Sequence, residues 1–369
     1  MLLHFVKKTG LAMVSRGHAR GALLGLFVGD AAGATLEFTR GSITAEIARR
    51  AMLMPGGGVL RVGPGQITDD SELAMALCHA LSHRDPSLGL PTDAIAHSYK
   101  GWLDSNPFDV GGTCYTAFSS SSSSGTLQFP SSDQDPSESD LKLLEEDRGL
   151  ARAMRAAAAE FSGSSEANGA LMRIVPMAIW LAGESSEIVA QAAKEDARLS
   201  HPNPVCQECN AVYSLTVAHL LSNAGDRIGA LDLAEEYALN HMHTKARDWL
   251  LKESIDVTHL TCTSMIGHVR YAFTLAFFFL RQAASFEDAI SLTLQKGGDT
   301  DTNAAIVGGL LGAFHGAENI PAFMKDPVLS FDCSSCNQHP RTGHTRPLAY
   351  STRHIEELLD GLLMRNASV

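Results

Sequence analysis

Hydrophobic positions along this chain recur mostly at three- and four-residue spacings, the period of an amphipathic helix. Gly21 to Gly29 is apolar and rich in small residues, and it ends in Asp30-Ala-Ala-Gly33. Glu72–Ser82 puts Leu73, Ala76, Leu77 and Ala80 on one face. The same periodicity predicts helices over Thr92–Leu103, Asp140–Glu160, Ala170–Leu181, Ser186–Leu199, Gln207–Asn223 and Ile228–Met242. It continues through Gly267–Ala283, Phe286–Leu294, Asn303–Gly312 and Arg353–Met364. No alternating pattern competes, apart from a short edge strand expected at Gly58–Val62, and the fold class expected is all-α.

Two stretches break the pattern. Ser119–Ser124 is a run of six serines followed by an acidic segment, Asp133–Asp147. Such a composition buries little apolar surface, so residues 119–138 read as a solvated loop inside one domain. Asp326–Leu348 is a second irregular region, ahead of the last helix.

Composition narrows the class further. Of 369 residues, 45% are apolar and 19% charged, which suits a globular chain with a sizeable core. A net charge of −12 argues against a nucleic-acid backbone as partner. The greasiest run, Tyr271–Leu280, is too short for the roughly eighteen apolar residues of a membrane span. The N-terminus has basic residues and no acid before Asp30; it reads as a frayed extension, with a transit peptide as the alternative. Seven cysteines without a convincing signal peptide suggest reduced thiols and a cytoplasmic setting. Cys206/Cys209 reads as packing within a helix; Cys333/Cys336 with His339 nearby is a little more suggestive, but 123 residues separate the two pairs and no ribbon pattern surrounds either, so zinc is not expected. Asn366-Ala-Ser368 reads as a chance glycosylation sequon.

The candidate chemistry lies in two acidic clusters with one grammar. Thr68-Asp69-Asp70 and Asp299-Thr300-Asp301-Thr302 each follow a Gly-rich turn and open an apolar helix. Thr and Asp are ordinary helix N-caps, and Asp69-x-x-Glu72 has capping-box spacing. One cap, however, needs one side chain, and adjacent carboxylates repel. Four carboxylates and three hydroxyls make a hard oxygen set that suits Mg²⁺, Mn²⁺ or Ca²⁺.

These motifs, in this order, resemble the ADP-ribosylglycohydrolase (ADP-ribosyl-acceptor hydrolase) family. The resemblance is carried by GALLGLFVGDAAGATLEF (21–38), GGGVLRVGPGQITDDSELAMAL (56–77), DVGGTC (109–114), EANGALMRIVP (166–176), ARLSHPNP (197–204) and GGDTDTNAAIVGGLLGAFHG (297–316), with Asn319-Ile320-Pro321 after them. Within the family it is most similar to the dinitrogenase reductase-activating, arginine-specific bacterial type. The resemblance implies a single compact orthogonal helix bundle with a dinuclear Mg²⁺ or Mn²⁺ cleft. It also implies hydrolysis of the glycosidic bond between ADP-ribose and a modified side chain. The implied metal ligands are Thr68, Asp69, Asp70, Asp299, Asp301 and Thr302, with Thr300 not a ligand. Glu37 is the implied acid beside the metals, and Asp30 caps a helix or supports the ligands from behind. Gly163, Ser164, Ser165, Asn168, Gly169 and Met172 form the implied substrate loop. His201 lies near a ribose, and His268 takes the place of a family aromatic.

Two points depart from the family pattern. The acid expected in the substrate loop falls at Glu166 beside Ser165, so either Glu166 shares the catalytic work or Glu37 does it alone. Arg173 reads equally as a phosphate contact or a structural ion pair. The domain expected spans 18–325, with 119–147 as an insertion, 1–17 as an extension and 326–369 completing the same unit. The activity expected is removal of mono-ADP-ribose from protein arginine, as a monomer. Serine-linked ADP-ribose or O-acetyl-ADP-ribose is the alternative substrate, and a non-catalytic ADP-ribose binder is the rival class.

Overall fold

In a computed structural model, the protein is described over residues 14–120, 149–335 and 345–364. These residues form sixteen α-helices and no β-strand. The segment expected as an edge strand is a turn closed by a lone bridge between Gly57 and Val62. Its three consecutive glycines, Gly56, Gly57 and Gly58, all have positive φ and curl the backbone too tightly for a strand to extend. The serine run beyond Ser120, the acidic segment up to residue 147, Cys336, His339 and the Asn366 sequon lie outside the described residues.

Long periodic segments fold where expected: Thr92–Asp104, Ser186–Ala197, Pro204–Ser222, Arg227–His241, Val269–Gln282 and Phe286–Gln295 are helices. The segment expected as helical from Ala170 begins only at Val175, with a proline in its first turn; residues 167–174 form a turn-rich loop instead. Four short helices carry too few turns to show a period: Ala45–Ala51, Gly112–Phe118, Ala246–Leu251 and Ala322–Ser330.

The centre of the molecule is an antiparallel pair, Arg16–Gly33 against Thr300–His315. The first helix has glycine at 21, 25, 29 and 33, a stripe on one face. A Cβ at Gly25 would sit 2.2 Å from the Gly308 carbonyl oxygen, and one at Gly29 would sit 2.0 Å from that of Ala304. The facing helix answers with Gly308 and Gly312, whose Cβ positions are blocked by the carbonyls of Gly25 and Gly21. The two backbones therefore touch directly, and the last glycine, Gly33, rests against Asp301.

The helix Asp69–Leu81 is anchored from the far end of the chain. Glu72 does not close a capping box; its carboxylate is buried and receives the guanidinium of Arg346 at 2.8 Å and the indole N–H of Trp102 at 2.8 Å. Burial of an acid of this kind requires such a partner. Arg346 also donates to the Ser105 carbonyl at 2.7 Å, tying residues beyond 326 to the same body.

Candidate active site

The antiparallel glycine contact brings the C-terminal end of the first helix to the N-terminal end of the Thr300 helix. A third end, that of the Asp69 helix, is held there by Asp30. Its carboxylate accepts the backbone N–H of Thr68 at 3.0 Å and of Ser71 at 3.1 Å, the Thr68 hydroxyl at 2.9 Å and the Ser71 hydroxyl. The cap for this helix thus comes from another helix, which leaves Thr68 without a capping bond of its own. Thr300, buried in the same turn, donates its hydroxyl to the Gly33 carbonyl at 2.8 Å.

The result is a concentration of carboxylates. Asp30, Asp70 and Asp301 offer oxygens within 4.8 Å of one another, and so do Glu37, Asp109 and Asp301. Asp69 and Asp299 flank these groups: Asp69 accepts the Gly111 N–H at 3.3 Å, and Asp299 accepts the Asn168 side-chain N–H at 2.7 Å. Thr302 is buried beside Asp301, whose carboxylate accepts its N–H at 2.9 Å. Burial, and then repulsion from its acidic neighbours, pushes each of Asp69, Asp70 and Asp301 well above the usual carboxylate range. Burial, followed by the charges of Asp109 and Asp299, raises Glu37 to about 8. Burial raises Asp30 to about 6 against the opposing effect of its Ser71 and Thr68 hydrogen bonds.

The cluster fits a hard divalent cation. Glu37 Oε2 and Asp70 Oδ1 are buried with no hydrogen-bond partner. A cation among these oxygens would both satisfy those atoms and offset the repulsion. No cysteine belongs to a metal-competent group among the described residues. Cys206 instead faces the Ser165 and Ala167 carbonyls from its helix at 3.7 and 3.3 Å.

The expected substrate loop closes over one side of this cluster. Asn168 N–H donates to the Gly267 carbonyl at 2.9 Å, and Ala167 bridges His268. Gly267 lies against Asp299. Gly163 and Ser164 are exposed, Ser165 is half-buried with its hydroxyl 3.3 Å from that of Thr113, and Met172 is buried. Gly169 packs on the ring of His201, which is fully buried with Nε2 unpartnered. Burial and then the Arg173 charge push His201 down to about 3, so it is neutral at any physiological pH. Arg173 is an internal structural group, ion-paired with Asp196 at 3.2 Å and stacked on Tyr99 at 4.4 Å.

Glu166 is not brought to the acidic cluster. Its carboxylate pairs with Lys245 at 2.7 Å and His268 at 2.9 Å, and the His268 ring also caps the helix that follows by accepting the Arg270 N–H at 3.1 Å. The second acid beside Glu37 is Asp109, which lies in the irregular start of the DVGGTC motif, before the Gly112 helix, and was quoted above only as part of that motif. Its placement depends on contacts that no local pattern encodes. Phe108, just before it, packs on Ala34, Leu60 and Val62, from two other turns.

Known proteins share this architecture. The ADP-ribosylglycohydrolase family profile matches residues 13–363. The ADP-ribosyl-[dinitrogen reductase] glycohydrolase of Rhodospirillum rubrum is 30% identical over 305 residues, covering 82% of this chain and 87% of the relative. The ADP-ribosylarginine hydrolase Tri1 of Serratia proteamaculans is 26% identical over 318 residues, covering 84% and 75%. An ADP-ribosylglycohydrolase-related protein complex has the same fold, with a TM-score of 0.66 at 20% identity over 94% of this chain and 97% of that one. A profile match over nearly the whole chain, together with the acidic cleft between three helix ends, makes this protein a member of the ADP-ribosylglycohydrolase family, an all-α hydrolase of ADP-ribosyl–acceptor bonds.

Proposed function

We propose that the chain removes single ADP-ribose units from arginine side chains of proteins, using two divalent cations, Mg²⁺ or Mn²⁺. The observation that carries the metal reading is the meeting of five buried or half-buried acids, among which Glu37 Oε2 and Asp70 Oδ1 are buried with no hydrogen-bond partner. Thr68, Asp69, Asp70, Asp299, Asp301 and Thr302 would hold the cations, and Asp30 would fix the Thr68 oxygen from behind. Bound there, the cations would supply Lewis-acid binding for the ribose hydroxyls and so help orient the anomeric carbon. The arginine reading is supported by two relatives whose names specify dinitrogen reductase and ADP-ribosylarginine.

In the reaction a water oxygen bonds to C1″ of the distal ribose as the C1″–nitrogen bond breaks, through a transition state with oxocarbenium character. Glu37 and Asp109, whose oxygens lie within 4.8 Å of each other, would flank that position. A paired carboxylate can take the proton of the water and return one to the departing nitrogen. Glu37, buried beside Asp109 and Asp301, suits the donor half of this exchange. Asn168, braced by Asp299, and Gly169, braced by Arg173, set the backbone of the loop against the ligand. Gly163, Ser164, Ser165, Met172, His201 and His268 complete that side. Glu166 positions the loop through Lys245 and His268 and does no proton transfer.

The test is a panel of arginine-linked, serine-linked and O-acetyl-linked ADP-ribose, each with Mg²⁺ and with EDTA. Release from the arginine-linked probe alone, abolished by EDTA, is the expected result. Preference for another linkage overturns the arginine reading, and release in EDTA overturns the metal reading.

A further inference from the structure

Resting on the reading above, the geometry points to a docking surface for the protein that carries the modified arginine. The surface begins at Glu37 and runs along residues 38–62. That segment holds four arginines, Arg40, Arg49, Arg50 and Arg61, and a single acid, Glu46, in a chain whose net charge is −12. Two turns and the short helix between them make up the surface. The first turn follows Glu37 and exposes Phe38; the second exposes Val59. A Cβ at Gly58 would fall 2.6 Å from the Thr35 carbonyl oxygen, so the two turns are in backbone contact. Ala34 of the first turn and Leu60 and Val62 of the second share an apolar cluster with Phe108, next to Asp109. The surface is therefore built into the wall of the catalytic cleft.

Three features indicate a polypeptide partner. Phe38 and Arg61 both have positive φ, at 57° and 54°, and both are exposed. Non-glycine residues in this region cost on the order of 1 kcal/mol or more, and here no burial offsets it. Arg40 and Arg61 are exposed and are not ion-paired within the described residues. Beyond them the helix Ala45–Ala51 borders a groove of about 430 Å³ lined by Arg49, Arg50, Leu53, Glu287 and Phe323, among others. In the groove the arginines are balanced by Glu46 and Glu287, and the exposed Leu53 and Phe323 supply apolar contact. The fitting occupant is a segment of the acceptor protein with acidic residues beside the modified arginine, which meet Arg40 and Arg61, and a large apolar residue farther on, which enters the groove.

Three probes test this: free ADP-ribosylarginine, a peptide with ADP-ribosylarginine flanked by Asp/Glu and Leu/Phe, and the same peptide with lysine flanks. Wild type is expected to show kcat/KM about tenfold or more higher on the acidic–apolar peptide than on the lysine peptide, a preference that shrinks with added salt. In Arg40→Glu/Arg61→Glu the preference vanishes or inverts, and Leu53→Ser lowers it in part. The rate on free ADP-ribosylarginine is unchanged in both variants. Measurable but equal rates on the two peptides, or an unaltered preference in the double variant, overturn the proposal. A parallel fall on the free substrate also overturns it. Binding of the unmodified acidic–apolar peptide, followed by fluorescence anisotropy, reads the surface without turnover. Loss of that binding in the double variant upholds the surface even if arginine-linked probes are not cleaved, an outcome that sinks only the arginine reading.

Discussion

Two groups of buried charge lie on either side of the 163–173 loop, and they are built on opposite plans. Beneath the loop, Arg173 and Asp196 are both fully buried and complete: the guanidinium pairs with the carboxylate, donates to the Gly169 carbonyl at 3.1 Å and stacks on Tyr99, whose hydroxyl donates to Asp196 at 2.7 Å. Beyond the loop, Asp30, Asp70, Asp301, Glu37 and Asp109 carry one sign, and two of their buried oxygens have no partner. Burial of a charge is tolerable when its partners are folded in with it. A set of one sign with two unmatched buried oxygens has the character that a cation would complete. The first cluster serves the fold; the second carries the proposed chemistry.

Substitution separates the two most sharply. On the proposed metal reading, Asp301→Ala or Asp70→Ala removes a cation ligand. Several kcal/mol of lost transition-state stabilisation corresponds to roughly a thousandfold or more in kcat. In EDTA these variants are expected to be as stable as wild type or more so, because a repelling charge has gone. Arg173→Met should do the reverse: it strands Asp196 and costs about 3–5 kcal/mol in urea denaturation. Mg²⁺ should raise the melting temperature of wild type and of Arg173→Met, and leave that of Asp301→Ala unmoved. If Asp301→Ala keeps wild-type turnover at saturating Mg²⁺, or unfolds while Arg173→Met does not, the contrast between the clusters collapses.

A narrower comparison sets Glu37 against Glu166. Glu37→Gln should lower kcat by about 10²–10⁴, the range of a lost general acid–base group. Glu166→Gln loses only its pairing with Lys245 and His268, with an effect of less than about tenfold, mainly in KM. Comparable losses in kcat for the two variants would return Glu166 to the catalytic machinery.

The smallest effect concerns His201, which is neutral and buried between the clusters. Its folded value of about 3 lies below the unfolded value of about 6.5, so the unfolded chain binds the extra proton between them. Its contribution to stability is complete above pH 6.5 and is lost as pH falls towards 3. His201→Gln lacks that dependence. Wild type should thus lose about 2 kcal/mol relative to the variant between pH 7 and pH 5, measured by urea midpoints. A constant difference would place His201 in contact with water.

Much of this was legible in the chain before folding. Thr68-Asp69-Asp70 and Asp299 to Thr302 announced themselves because their hydroxyls and carboxylates sit within a few residues of one another at helix starts. The longer helices followed from periodicity. Asp109 did not, because its nearness to Glu37 arises from three turns packing around Phe108. Glu72 has capping-box spacing yet closes no box, for a similar reason: its partner, Arg346, is 274 residues away. Local spacing predicts what neighbours in sequence can do for each other, and it is silent about a distant residue that does the same job better. Asp30 makes the same point, since it caps a helix that begins 39 residues after it.

The glycine stripe of the first helix has a consequence for how such a site can change. Because main chain rests on main chain from Gly21 to Gly33, the separation between Asp30 and Asp301 is set by atoms that every residue shares. Repacking the surrounding core with larger or smaller side chains leaves that separation unaltered. The acidic half of the cleft is in this sense gauged like a machined joint, and the freedom to acquire a new acceptor falls to the turns around it, where Phe38, Val59 and Met265 already face outward.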